Sequence, residues 1–264
     1  MILLYININI FEYMIIRRNR DIDKNIENEI KRREIISFIQ DNYILGRCKN
    51  TDILNIDFTE PLPIVNSLDP TILDISFIGQ GESLTGELFR WGHINGSFTC
   101  TYRNITTLEG APKEVGRDFD CSRCKKLKSL EYSPKKIGGR FDISLCIKLN
   151  TIQSDTEEAN ILICSSLDKL NNLKGLPKQL CGLCVSYSHL KNLEGLVKLK
   201  FLYLYNCEYL TNFDALFKNP PATTNMDKIT LDNFNKYASK EKYDEFTKGS
   251  ILDPSLIGIY KIIQ

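Results

Sequence analysis

The stretch LEGAPKEVGRDFDCSRCKKLKSL, Leu108 to Leu130, decides the fold. Apolar residues three apart frame it, Ile105 with Leu108 at the start and Leu127 with Leu130 at the end. Between them Phe119 and Cys121 alternate with polar neighbours, the pattern of a short strand with one buried face. The framing pairs recur downstream as Leu149 and Ile152, Leu170 and Leu173, Leu190 and Leu193, Leu210 and Phe213. Their first members are 22, 22, 21, 20 and 20 residues apart. The alternating pairs keep step with them: Phe98 and Cys100, Phe141 and Ile143, Leu162 and Cys164, Leu183 and Val185, Leu202 and Leu204. A unit this short cannot bury its own apolar side, so the copies must stack around a shared core as a solenoid.

The final copies, LEGLVKLKFLYLYNCEYLTNF, resemble the leucine-rich repeat L-x-x-L-x-L-x-x-(N/C)-x-x-L. Leu196, Leu199, Leu202, Leu204, Cys207, Leu210 and Phe213 stand in the matching places. LKGLPKQLCGLCVSYSHLKNL is similar to the short, proline-containing repeats of bacterial proteins. The opening stretch is similar to the L-x-G-x-P-x-x-V-G-G-x-F-x-C-S repeats of phage and large-virus proteins. The resemblance covers residues 86–219. It implies an α/β-type repeat solenoid of the leucine-rich-repeat kind, with one short parallel strand per 20–22 residues, about six clear repeats and helical elements at both ends. It further implies a viral or bacterial interaction scaffold with a protein partner in the host cell, the chain itself being expected in the cytoplasm, that of the host if viral. The copy at Ile152–Asn160 lacks the Gly-x-Pro return, which predicts a bulge or exposed loop there. Gly96, Gly116, Gly138 and Gly139 precede strands and are expected to adopt unusual backbone angles.

The flanks divide the 264 residues further. Residues 1–46 form an N-terminal segment with an amphipathic helix from Asp21 to Tyr43, its face marked by Ile22, Ile26, Ile30, Ile35, Ile36 and Ile39. The apolar opening before it, broken by Asn7, Asn9 and Glu12, is expected as an alternating strand, or as dispensable if the chain starts at Met14. Residues 47–95 read as a cap or degenerate repeats, with Phe89 and Trp91 covering the first rung; residues 96–219 carry the repeats. Residues 220–264 read as a C-terminal helical cap, LDNFNKYASKEKYDEF, and a tail. The opening has neither the charge order nor the cleavage site of a secretory signal, and it is too polar for a membrane span. A reducing compartment and free thiols are therefore expected for the nine cysteines.

With 34 basic and 33 acidic residues, the net charge of +1 predicts no attraction to nucleic acid or membrane. Cys121-x-x-Cys124 and Cys181-x-x-Cys184 suggest zinc, but they lie three repeats apart. At ~4.8 Å per rung the pairs are separated by ~14 Å, whereas thiolates on one zinc each lie within ~2.3 Å of it. Cys100, Cys121 and Cys164 fall in an inward column that elsewhere holds Ile143, Val185 and Leu204. Core packing is favoured over metal, and no cofactor is expected. The lysines from Lys125 to Lys136 divide between two edges, so nucleic acid is disfavoured; a zinc- or nucleic-acid-binding module on the basic, Cys-containing repeats is the alternative. His93 and His189 have no acidic or nucleophilic partner at a catalytic spacing, and no phosphate loop or nucleophile motif is present, so no enzyme is expected.

The outward strand positions remain: Thr99, Asp120, Asp142, Ile163, Cys184 and Tyr203, flanked by Thr101, Ser122, Ser144, Ser165, Ser186 and Tyr205. In a curved solenoid these line the concave sheet. The candidate partner-binding residues are Thr99, Asp118, Asp120, Ser122, Arg140, Asp142, Ile163, Tyr203 and Tyr205, grading from acidic to aromatic. A protein partner is expected to bind a monomer of this chain there, with no membrane involved.

Overall fold

The structure is a computed structural model that describes residues 2–45, 54–67, 74–85 and 87–238, with the side chains of 2–16 and 19 excepted. A long helix, α1 (Ile2–Asn42), leads into β1 (Tyr43–Leu45), β2 (Asn55–Asp57), β3 (Ile64–Ser67), β4 (Asp74–Phe77), β5 (Arg90–Ile94) and β6 (Ser97–Thr99). The repeats continue through β7 (Glu114–Val115), β8 (Phe119–Asp120), β9 (Lys136–Asp142), β10 (Glu158–Ser165), β11 (Gln179–Ser186) and β12 (Phe201–Tyr205). Helix α2 (Asp214–Lys218), β13 (Thr223–Met226) and α3 (Lys228–Tyr237) follow.

Eight strands, β4, β6 and β8 to β13, lie side by side and parallel, one from each successive coil. This is a parallel-strand solenoid, and its sheet continues past Pro220–Pro221 to β13. A second ribbon, β3–β5–β7, joins the first half of β9, so the longer strands turn a corner and contribute to two sides of each coil.

The periodic residues of the sequence become stacked columns. Phe98, Phe119, Phe141, Leu162, Leu183 and Leu202 form one, with Cys100, Cys121, Ile143, Cys164, Val185 and Leu204 beside it, all buried. The paired anchors form two more on the return side, and Ile94, Val115, Ile137, Ala159 and Leu180 line the third side. Burying each large aliphatic or aromatic side chain contributes roughly 1.5–3 kcal/mol, so the columns supply most of the cohesion between coils. Ring contacts join rungs directly, with Phe98–Phe119 and Phe119–Phe141 centroids 5.9 and 5.6 Å apart.

Coil length explains the irregularity at the fourth repeat. Between the inward Ile137 and Phe141 lie Gly138, Gly139 and Arg140, but between Ala159 and Leu162 only Asn160 and Ile161. The pairing of β9 with β10 slips at that point, between Ala159 and Ile161. The missing residue is the change from a 22- to a 21-residue spacing.

Three expectations from the sequence are corrected. The opening stretch is helical, not an alternating strand; α1 runs from Ile2 without a break. Ile22, Ile26 and Ile30 do not share a face with Ile35 and Ile39: the first three are 47, 56 and 54% exposed, while the last two are fully buried. At about 100° per residue the five-residue step from Ile30 to Ile35 rotates the stripe by roughly 140°, to the other side of the helix. The corner glycines do not take positive φ; Gly110, Gly175 and Gly195 do. Gly138 is needed for close approach, since a Cβ there would lie 2.2 Å from the carbonyl oxygen of Gly116 one coil back.

The ends are covered by aromatic clusters. Phe89 and Trp91 are buried, and Tyr43 packs against Trp91, Phe77 and Phe98 while donating from its hydroxyl to the Leu84 carbonyl at 2.7 Å. The end of α1 adds Phe38, edge-on to Phe89. At the other end, Asp227 caps α3 by accepting from Thr230 N, and Phe234 packs on Phe213 and Phe217. The rest of the expected C-terminal cap and tail, 239–264, lies outside the described residues. Among the described residues no helix is long and apolar enough to cross a membrane.

Candidate partner-binding face

Each strand of the main sheet alternates, so the residues between the buried columns point out of the same face. Register places them in rows. Thr99 lies beside Asp120, Asp120 beside Asp142, Asp142 beside Ile163, Ile163 beside Cys184, and Cys184 beside Tyr203. Ser165, Ser186 and Tyr205 are likewise neighbours in one column. A third column precedes these, in which Arg140, Ile161, Gly182 and Phe201 are adjacent. Thr99, Asp118, Asp120, Ser122, Asp142, Ile163, Tyr203 and Tyr205 are half-buried and Arg140 is exposed.

The polar end is internally bonded. Arg140 donates from Nε and Nη2 to Asp118 Oδ2, at 3.1 and 2.8 Å, and its backbone N–H donates to Oδ1 at 2.7 Å. Burial pushes the Asp118 carboxyl up, but these bonds outweigh it and hold it below its usual range. Asp120 and Asp142 each accept from the backbone N–H two residues on, Ser122 and Ser144, at 2.9 Å. These bonds turn the chain out of the strand and engage one oxygen of each carboxylate. Asp142 is nonetheless shifted upward, first by burial and then by the neighbouring Asp120. Further along, Ser186 donates to Ser165 Oγ at 2.7 Å.

The other end is apolar. The Phe201 ring lies over Gly182, where a Cβ would overlap it, and packs 5.3 Å from the Tyr203 ring. Tyr187 adds an exposed ring 5.5 Å from Tyr205. Ile161, Phe201 and Tyr187 belong to this face and are not among the candidates drawn from sequence. The same two-residue step that selected the other columns would have reached Ile161 and Phe201. Tyr187 has no such signal, because it sits in the turn at φ 50°.

Two of the buried cysteine thiols point into the backbone of the ladder. Cys124 donates to the Cys100 carbonyl at 3.0 Å and Cys146 to the Cys121 carbonyl at 3.1 Å. The Cys124 contact and then burial push the Cys100 thiol well above its ordinary range; Cys146 and burial do the same to Cys121. Cys184, half-buried on the outer face, is pushed up to about 11 by burial and then Asp142. Lys125, Lys126 and Lys128 are exposed at the turn, whereas Lys135 and Lys136 lie on the third side of the coil, Lys136 paired with Glu158 at 3.1 Å. His93 does gain an acidic neighbour that its sequence position conceals, since stacking brings Glu114 to 3.2 Å from Nδ1. His189 is held by the Asp168 carbonyl and the edge of Tyr209. A groove of about 740 Å³ opens beside the irregular fourth coil, bordered by Lys135, Ser154, Asp155, Glu157 and Lys178.

No family model, no curated protein and no solved structure matches the chain.

Proposed function

We propose that this chain is a non-enzymatic interaction protein of the leucine-rich-repeat kind that holds a protein partner on the outer face of its parallel sheet. The single observation that carries the proposal is the register. Six coils bring Thr99, Asp120, Asp142, Ile163, Cys184 and Tyr203 side by side into one surface that changes from acidic to aromatic. Half-buried tyrosines offer large contact area at small entropic cost, and such residues dominate binding energy at interfaces. The repeat type and the resemblance to phage, large-virus and bacterial repeats support a viral or bacterial scaffold acting on a host factor from the cytoplasm.

Affinity capture from the native host, run in parallel with the triple variant Asp120→Asn, Asp142→Asn, Tyr203→Ser, tests this. Loss of the captured protein from the variant is the expected result, with the variant's far-ultraviolet circular dichroism unchanged. An unchanged captured set would sink the assignment of the face. The zinc alternative makes its own prediction, stoichiometric zinc in the purified protein that disappears with Cys121→Ser.

A further inference from the structure

Two adjacent rungs of the outer face are acidic and the next three are apolar, and the boundary falls between Asp142 and its register partner Ile163. Asp120 and Asp142 are directly opposite each other in the ladder. Like charges so placed repel; Arg140 makes its side-chain hydrogen bonds to Asp118 and acts on this pair through its charge, while Arg123, in the turn after Asp120, lies over the Tyr102 ring.

We propose that this boundary seats one segment of the partner protein, carrying a lysine or arginine for the Asp120–Asp142 pair and an aliphatic or aromatic side chain for the surface of Ile163, Cys184 and Tyr203. The proposal rests on the sheet face being the binding surface and adds the chemistry of what binds. Charge complementarity sets the cation: a single ammonium or guanidinium beside both carboxylates relieves the repulsion of the free protein and gains charge-assisted hydrogen bonds. The apolar neighbours set the second element, because half-exposed aliphatic and aromatic surface gains from being covered. Spacing sets the separation. Asp142 and Tyr203 are three rungs apart, or ~14 Å at ~4.8 Å per rung, which an extended chain spans in roughly four residues. Polyanions are repelled by the same two carboxylates.

Short random peptides displayed on phage and selected on the immobilised full chain test this, alongside the Asp120→Asn, Asp142→Asn double variant and a Tyr203→Ser variant. Enriched peptides are expected to place a lysine or arginine about four positions from a leucine, phenylalanine or tyrosine. On the double variant the preference for a basic residue should vanish while the apolar preference persists; Tyr203→Ser should do the reverse. Binding of an enriched peptide, followed by fluorescence anisotropy, should weaken about tenfold in the double variant and fall with added salt. Enriched peptides without a basic residue, or binding that the double variant leaves unchanged while Tyr203→Ser weakens it, overturn the cation seat but keep the face. Selection that neither variant alters, or no enrichment over the bare support, overturns both.

Discussion

Asp142 has a structural role at its turn beside the recognition role proposed for it. Its Oδ1 holds the turn at Ser144, yet burial and Asp120 raise its folded-state pKa above the unfolded value. A raised carboxyl pKa means that stability is present at low pH and is lost as pH climbs through the unfolded carboxylate range, near ~3.9, toward the folded value. Asp142→Asn keeps an acceptor for the Ser144 N–H and cannot ionise. Its urea midpoint should therefore exceed that of the native chain at pH 7, and the difference should disappear near pH 3. A lower midpoint at pH 7 would mean that the charge itself stabilises the turn. Tyr132 shows a different compromise. It stands at φ 66° in the column where other coils place Gly110, Gly175 and Gly195, a conformation that costs a side chain about 1 kcal/mol.

The corner of a coil is where the chain passes from one ribbon to the other, and there glycines let the backbones of successive coils come close. Gly116 stacks on the Asn95 carbonyl and Gly138 on the Gly116 carbonyl, so a methyl group has no room. Gly138→Ala should lower stability by about 1–3 kcal/mol, the usual range for overpacking, measurable as a fall in the denaturant midpoint. An unchanged midpoint would show that the corner can open without cost. The glycines were visible in the sequence, but their reason was not: positive φ and close approach select the same residue, and only the neighbouring coil distinguishes them. Helix α1 teaches a related lesson. Isoleucines spaced four apart suggest a continuous apolar face, yet the five-residue step to Ile35 moves the buried side around the helix.

In a solenoid each coil contacts only its neighbours, so damage at one end should stay local. Phe234 on α3 fills the space between Phe213 and Phe217 against the last coil. Phe234→Ala should cost about 3–5 kcal/mol there. Native-state amide exchange should speed up in β12 and β13 while β8 and β9 keep their protection. Equal loss of protection along the whole ladder would instead mark a single cooperative unit.

The period and the alternation of apolar residues were sufficient to determine the solenoid and its inward columns, because stacked copies can bury their faces in only one register. Thr99, Asp120, Asp142, Ile163, Cys184 and Tyr203 align on that basis alone. Contacts between coils belong to the tertiary structure alone. Sequence spacing does not reveal that Asp118 is already paired with Arg140, that Glu114 meets His93, or that Phe201 lies over Gly182. Each of these depends on side-chain direction and coil-to-coil distance, which the stacking of the whole chain sets.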